Sequence, residues 1–182
     1  MLILPAYYVD FVEKRMNANL KMPRVNYARR KLLSELGELL GELTKHEAHG
    51  KPLDRENVLE ELGDILFYHV VFSYKNGTLL GFRQIGNSLS DEILHYMYAI
   101  GYDCENPCID GIFQVAETEF GYTIQMIIDA NIEKLNKRPM PEEYYKTVKP
   151  VKTDEATIIR NGGYTGSCEN VLDIQIEIEN IK

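Results

Sequence analysis

In 182 residues the chain carries 20 Lys and Arg against 28 Asp and Glu, a net charge of −8. That balance excludes a protein that grips the nucleic-acid backbone by displacing counterions, and one that docks on an anionic membrane surface, because neither has a basic excess to work with. Apolar residues make up 45%, enough for a packed core and too many for a disordered chain, and the length fits one domain with room for an appendage.

The N-terminal MLILPAYYVDFVEKRM lacks the apolar run of a signal peptide, and residues 5–18 read as a first helix. Pro23 suits the first turn of a second helix from about Arg24 to His49, ending near Gly50. Its Leu32, Leu33, Leu36, Leu39, Leu40 and Leu43 recur at the spacing of an amphipathic helix. After the break GKPL, Asp54 is placed to cap a third helix that runs to about Asn76. Two long helices with so short a connection should pack antiparallel. SLSDEILHYMYAIGYD reads as a further helix capped near Ser90, CENPCIDG as a turn-rich loop, and residues 119–138 as a last long helix stopped by Pro139 and Pro141. Beyond Pro150, NG between β-prone runs and the alternating VLDIQIEIENI predict a small β appendage over 149–182, leaving a helical domain over 1–148. No stretch approaches the roughly 20 apolar residues of a membrane span. The few cysteines, Cys104, Cys108 and Cys168, argue for a reducing, cytoplasmic setting.

The informative feature is a repeated phrase. Residues 35–38 read ELGE and residues 61–64 read ELGD. A glycine inside a helix costs roughly 1 kcal/mol relative to alanine, and two acids at i, i+3 share a face and repel. Most such faces are simply solvated, but here basic neighbours are scarce: of Glu35, Glu38, Glu61 and Asp64, only Glu35 has one at i±4, Lys31. The stripe that carries Asp64 continues through Tyr68 and Phe72, so Glu61 and Asp64 should face a partly buried groove. Antiparallel packing would bring the four carboxylates together, with Glu42 at the edge. Clustered carboxylates need a cation, and hard divalent ions prefer oxygen ligands. Gly37 and Gly63 would either admit close approach of backbone, metal or substrate, or serve helix packing.

ExxE at Glu35 and Glu38, followed by ExxD at Glu61 and Asp64, resembles the metal motif of the MazG-like nucleotide pyrophosphohydrolases. DANIEKLNKRP, Asp129–Pro139, is similar to that family's late segment of Asn, Lys and an Arg followed by Pro. The resemblance spans roughly residues 20–145. Two features depart from the family: Ser34 stands where an acid is often doubled, and residues 78–118 are longer than a minimal unit needs. The resemblance implies an all-α antiparallel bundle that hydrolyses a nucleoside triphosphate to the monophosphate and pyrophosphate, with Mg²⁺ (Mn²⁺ as substitute) held by Glu35, Glu38, Glu61 and Asp64. Metal would offset the charge of a triphosphate on an acidic chain and activate the attacking water, and one carboxylate, with Glu38 favoured, would orient or deprotonate that water. Lys134, Arg138 and either Lys31 or Arg30 would bind phosphates, and Asn131 would bond substrate. Lys134 and Arg138 could equally serve the C-terminal end of their helix.

Weaker signals point elsewhere. Cys104 and Cys108, with His95, lack the second pair of a zinc site, and the two cysteines read as free thiols. His69, in an apolar run, reads as a core histidine. The wide apolar helix faces predict a homodimer or homotetramer. The rival class is a non-enzymatic helical dimerisation or partner-binding module whose acids only keep it soluble.

Overall fold

The computed structural model describes residues 4–16, 20–73, 88–102 and 108–140. They belong to the compact unit Met1–Tyr144. The β appendage expected over 149–182 lies outside the described residues, as do Cys104 and Cys168. Among the described residues the protein is all-α, with six helices: α1 (Ala6–Arg15), α2 (Arg24–His49), α3 (Arg55–Ser73), α4 (Leu89–Gly101), α5 (Asp110–Phe120) and α6 (Ile124–Asn136). None of these is long and apolar enough to cross a membrane.

Local chemistry sets the helix ends. Pro23 is the N-cap of α2, one residue outside the helix, and its carbonyl accepts from Tyr27 N at 3.1 Å. Gly50 closes α2 in the left-handed region at φ 63°, and its N–H returns to the His46 carbonyl at 3.0 Å. Asp54 caps α3 by accepting from Asn57 N at 3.1 Å. The cap of α4 is Ser88, which accepts from Asp91 N at 3.2 Å. The predicted cap, Ser90, instead lies inside the helix and donates to Glu47 Oε1 at 2.7 Å, tying α4 to α2.

The segment from 110 to 138 departs from expectation. A helix, α5, covers Asp110–Phe120, where the sequence suggested only a loop and then the start of the last helix. The last helix begins five residues later than predicted. Gly121 at φ 74° ends α5, and Thr123 caps α6 by accepting from Met126 N at 3.3 Å. One predicted helix is therefore two, broken by a glycine and restarted by a threonine.

Helix α3 is the central element. Val58, Leu62, Ile65, Leu66, Val70, Val71 and Phe72 are buried around most of its circumference, so it carries an apolar surface on more than one side. Against it lie Leu32, Leu36, Leu39 and Leu43 of α2, with Ile93, Tyr96 and Ile100 of α4 and Ile127 and Ile128 of α6 completing the core. Each such aliphatic side chain contributes about 2 kcal/mol by burial. Helices α2 and α3 run antiparallel: Tyr27 and Lys31 meet Tyr68, while Glu35 and Glu38 meet Glu61. Helices α1 and α6 run parallel, since Tyr7 meets Gln125, Tyr8 meets Asn131 and Arg15 meets Asn136.

Candidate metal centre

The antiparallel α2–α3 pair puts the two acid phrases side by side. One carboxylate oxygen from each of Glu35, Glu38 and Glu61 lies within 4.8 Å of the others. Glu35 and Glu61 are buried, whereas Glu38 is exposed, so the cluster opens to solvent on the Glu38 side. Ser34 donates to Glu38 Oε1 at 3.3 Å, which steadies that side chain from the preceding turn. Glu42, one turn further on, is paired with Lys45 at 2.5 Å and stands outside the cluster.

Glu61 is the unusual member. It is 9% exposed, and its Oε2 is buried with no hydrogen-bond partner. A buried carboxylate left without a partner is costly unless something neutralises it. Burial pushes its pKa up to about 7; Lys134 opposes the rise, and Asp64, Glu35 and Glu38 add to it.

Asp64, the fourth acid of the phrase, is not in the three-oxygen cluster. It accepts from Lys134 Nζ at 3.0 Å and from Asn131 Nδ2 at 3.2 Å. Lys134 also reaches Glu60 Oε2 at 3.1 Å. Burial works against the charge of Lys134, but its bonds to Asp64 and Glu60 outweigh that and raise its pKa. Lys31 behaves alike: burial opposes its charge, yet the 2.6 Å pair with Glu35 holds it up, and its ammonium lies 5.3 Å from the Tyr68 ring centre.

Asn131 is fully buried, with its amide engaged at both ends: Tyr8 Oη donates to Oδ1 at 3.0 Å, and Nδ2 donates to Asp64. Burial, with Asp64 nearby, pushes the Tyr8 hydroxyl well above the phenol range, so it remains a donor. Tyr8, Asn131 and Asp64 thus form one hydrogen-bonded chain from α1 through α6 to α3. Arg138 lies beyond the end of α6, so it does not share a helical stripe with Lys134; its carbonyl accepts from Arg15 at 3.0 Å. Arg30 is exposed on α2.

The two glycines of the repeated phrase differ in role. A Cβ on Gly63 would lie 2.9 Å from the Asn131 Cβ, so Gly63 lets α3 and α6 approach closely. A Cβ on Gly37 would meet nothing within 4 Å. His69 is a buried core residue bonded through Nδ1 to Tyr96 Oη at 2.6 Å and through Nε2 to Ser73 Oγ at 3.1 Å.

The donor set suits a hard divalent cation. Oxygens bound to one octahedral Mg²⁺ stand about 3.0 Å apart when adjacent and about 4.2 Å when opposite, and somewhat further apart around a larger ion. Three oxygens spread over up to 4.8 Å would therefore have to close in around Mg²⁺. Two participants escaped sequence reading. Glu60 left a trace, one turn before Asp64 on the same stripe; Tyr8, 123 residues from its partner, left none. Comparison of the chain with family models, curated proteins and solved structures finds no match.

Proposed function

We propose that the chain is a Mg²⁺-dependent nucleoside triphosphate pyrophosphohydrolase of the MazG-like kind, cleaving a (d)NTP to the (d)NMP and pyrophosphate, with Mn²⁺ as a substitute ion. The observation that carries this reading is the three-glutamate cluster containing a buried Glu61 oxygen without a partner. Glu35, Glu38 and Glu61 would hold the ion, with Asp64 as the fourth ligand. When bound, the ion supplies the positive charge that a triphosphate needs on a −8 chain and activates water for attack at the α-phosphorus.

The chain's own residues divide the work. Glu35 and Glu61 are fixed by burial and set the position of the site. Glu38 has access to water and is braced by Ser34, so it is the carboxylate assigned to orient the nucleophile and take its proton. Lys31 and Lys134 place two ammonium groups beside the cluster for the phosphate oxygens. Hydrolysis of the common NTPs and dNTPs, scored as pyrophosphate release in Mg²⁺ and in EDTA, tests the reading and gives the base preference.

A homodimer or homotetramer belongs to this proposal. Leu94 and Tyr98 of α4 and Tyr102 at its C-cap are 53%, 62% and 74% exposed and recur every fourth residue, an apolar stripe open to water. The same stripe supports the rival reading, a non-enzymatic partner-binding module. That module has no use for the acids as ligands and predicts no divalent-cation binding.

A further inference from the structure

Both oxygens of Asp64 are occupied by donors, Oδ2 by Lys134 and Oδ1 by Asn131. The Asp64 and Lys134 side chains are only 15% and 17% exposed, so the pair is shielded from solvent screening. Three residues earlier on the same helix face, Glu61 is nine-tenths buried with an oxygen that has no partner. Positive charge is thus held at Asp64 by Lys134 and at Glu35 by Lys31, while a buried oxygen of Glu61 goes without a hydrogen bond. The two donors to Asp64 differ in kind. Asn131 is neutral and locked by Tyr8, so it can stay in place whatever binds nearby. Lys134 carries a full charge on a flexible four-carbon stem and can withdraw.

Resting on the metal reading above, we propose that Lys134 is the counter-charge at the Asp64 side of this site, as Lys31 is at Glu35, and competes with a divalent cation for Asp64. Three glutamate oxygens leave coordination positions open on Mg²⁺ or a larger ion, for water or for a further carboxylate, and Asp64 is the next carboxylate along the face. The Lys134 ammonium occupies a lone pair of Asp64 that the dication would use. Cation binding therefore releases Lys134. The released ammonium then stands beside the site, which lets one lysine serve the carboxylate first and a phosphate anion afterwards.

The test is Mn²⁺ binding to the full chain, read from the electron paramagnetic resonance signal of free Mn²⁺ with no nucleotide present. Lys134→Met keeps the apolar stem and removes the charge; Lys134→Gln is the substitute if that variant does not fold. The expected result is Mn²⁺ binding about tenfold tighter than wild type, the scale of coupling between neighbouring charged sites. In an Asp64→Asn background the same change should bring no tightening, because the shared ligand is gone. Binding to Lys134→Met that equals or falls below wild type overturns the proposal. So does tightening that persists in Asp64→Asn, which would mark a general field effect. If wild type binds Mn²⁺ and Glu61→Gln does not, a null result for Lys134→Met removes this proposal alone. If wild type binds no Mn²⁺, the metal reading falls and takes the proposal with it.

Discussion

Gly63 and Asn131 are in contact where α3 packs on α6: a Cβ at position 63 would stand 2.9 Å from the Asn131 Cβ and 3.3 Å from Nδ2. The same amide nitrogen donates to Asp64, the residue next to Gly63. Helix packing and site geometry therefore share one contact. Gly63→Ala should destabilise the fold by about 1–3 kcal/mol through overpacking, despite the better helix propensity of alanine. Gly37→Ala has open space and should stabilise by up to about 1 kcal/mol. Urea titration of the two variants checks the opposite signs.

Tyr8 reaches the site only through Asn131. Tyr8→Phe leaves the Asn131 carbonyl oxygen buried without a donor and should cost about 1–2 kcal/mol. Adding Asn131→Ala to Tyr8→Phe should cost less than the sum of the two single changes, because both remove one bond. A double-mutant cycle in urea reads this coupling, and strict additivity would contradict the relay.

The pH dependence of the metal-free protein follows from two buried groups with opposite signs. Glu61, pushed up to about 7, holds a proton in the fold that the unfolded chain releases near pH 4.3. Its contribution to stability is fully present at low pH and is lost as pH rises through about 7. His69, pushed down to about 4 by burial, stays neutral in the fold while the unfolded chain takes up a proton near pH 6.5. Its contribution is present above 6.5 and is lost as pH falls toward 4. Between about pH 4.5 and 6.5 the two offset each other in wild type. Glu61→Gln should uncover the His69 effect and lose on the order of 2 kcal/mol over that interval, while exceeding wild type in stability at pH 8 by a similar amount. Urea titrations in EDTA at pH 4.5, 6.5 and 8 check this; a variant that tracks wild type throughout contradicts it.

The α4 stripe makes a separate prediction. Tyr98→Glu, at the middle of Leu94, Tyr98 and Tyr102, should lower the mass seen by light scattering to that of a single 21.0 kDa chain. Wild type that already scatters as a monomer would remove the homo-oligomer from the account.

The parts of this molecule legible in its sequence are those written in local chemistry. Helix α2 was bounded by Pro23 and Gly50 because a leucine period of helical spacing ran between two residues that break it. The meeting of Glu35, Glu38 and Glu61 followed from a short connection that forces α2 and α3 antiparallel. Helix α5 escaped because its N-cap, Ile109, has no side chain that can cap, so no start signal stood before it. The α5–α6 break at Gly121 is masked in the sequence because the residues on either side of it read as one continuous helix. The repeated phrase suggested that four carboxylates come together, yet Asp64 is claimed by Lys134 and Asn131 from α6, partners 70 and 67 residues away. A pairing of that range is decided by how α3 and α6 cross, which neither phrase encodes.

The most direct test of the central claim is pyrophosphate release from NTPs and dNTPs by wild type and by Glu61→Gln, each in Mg²⁺ and in EDTA. The account predicts release by wild type that requires Mg²⁺ and falls by about a hundredfold or more in Glu61→Gln, the scale for losing a group that holds the charge-stabilising ion. No release by wild type from any nucleotide, or release that persists in EDTA or in Glu61→Gln, would contradict it.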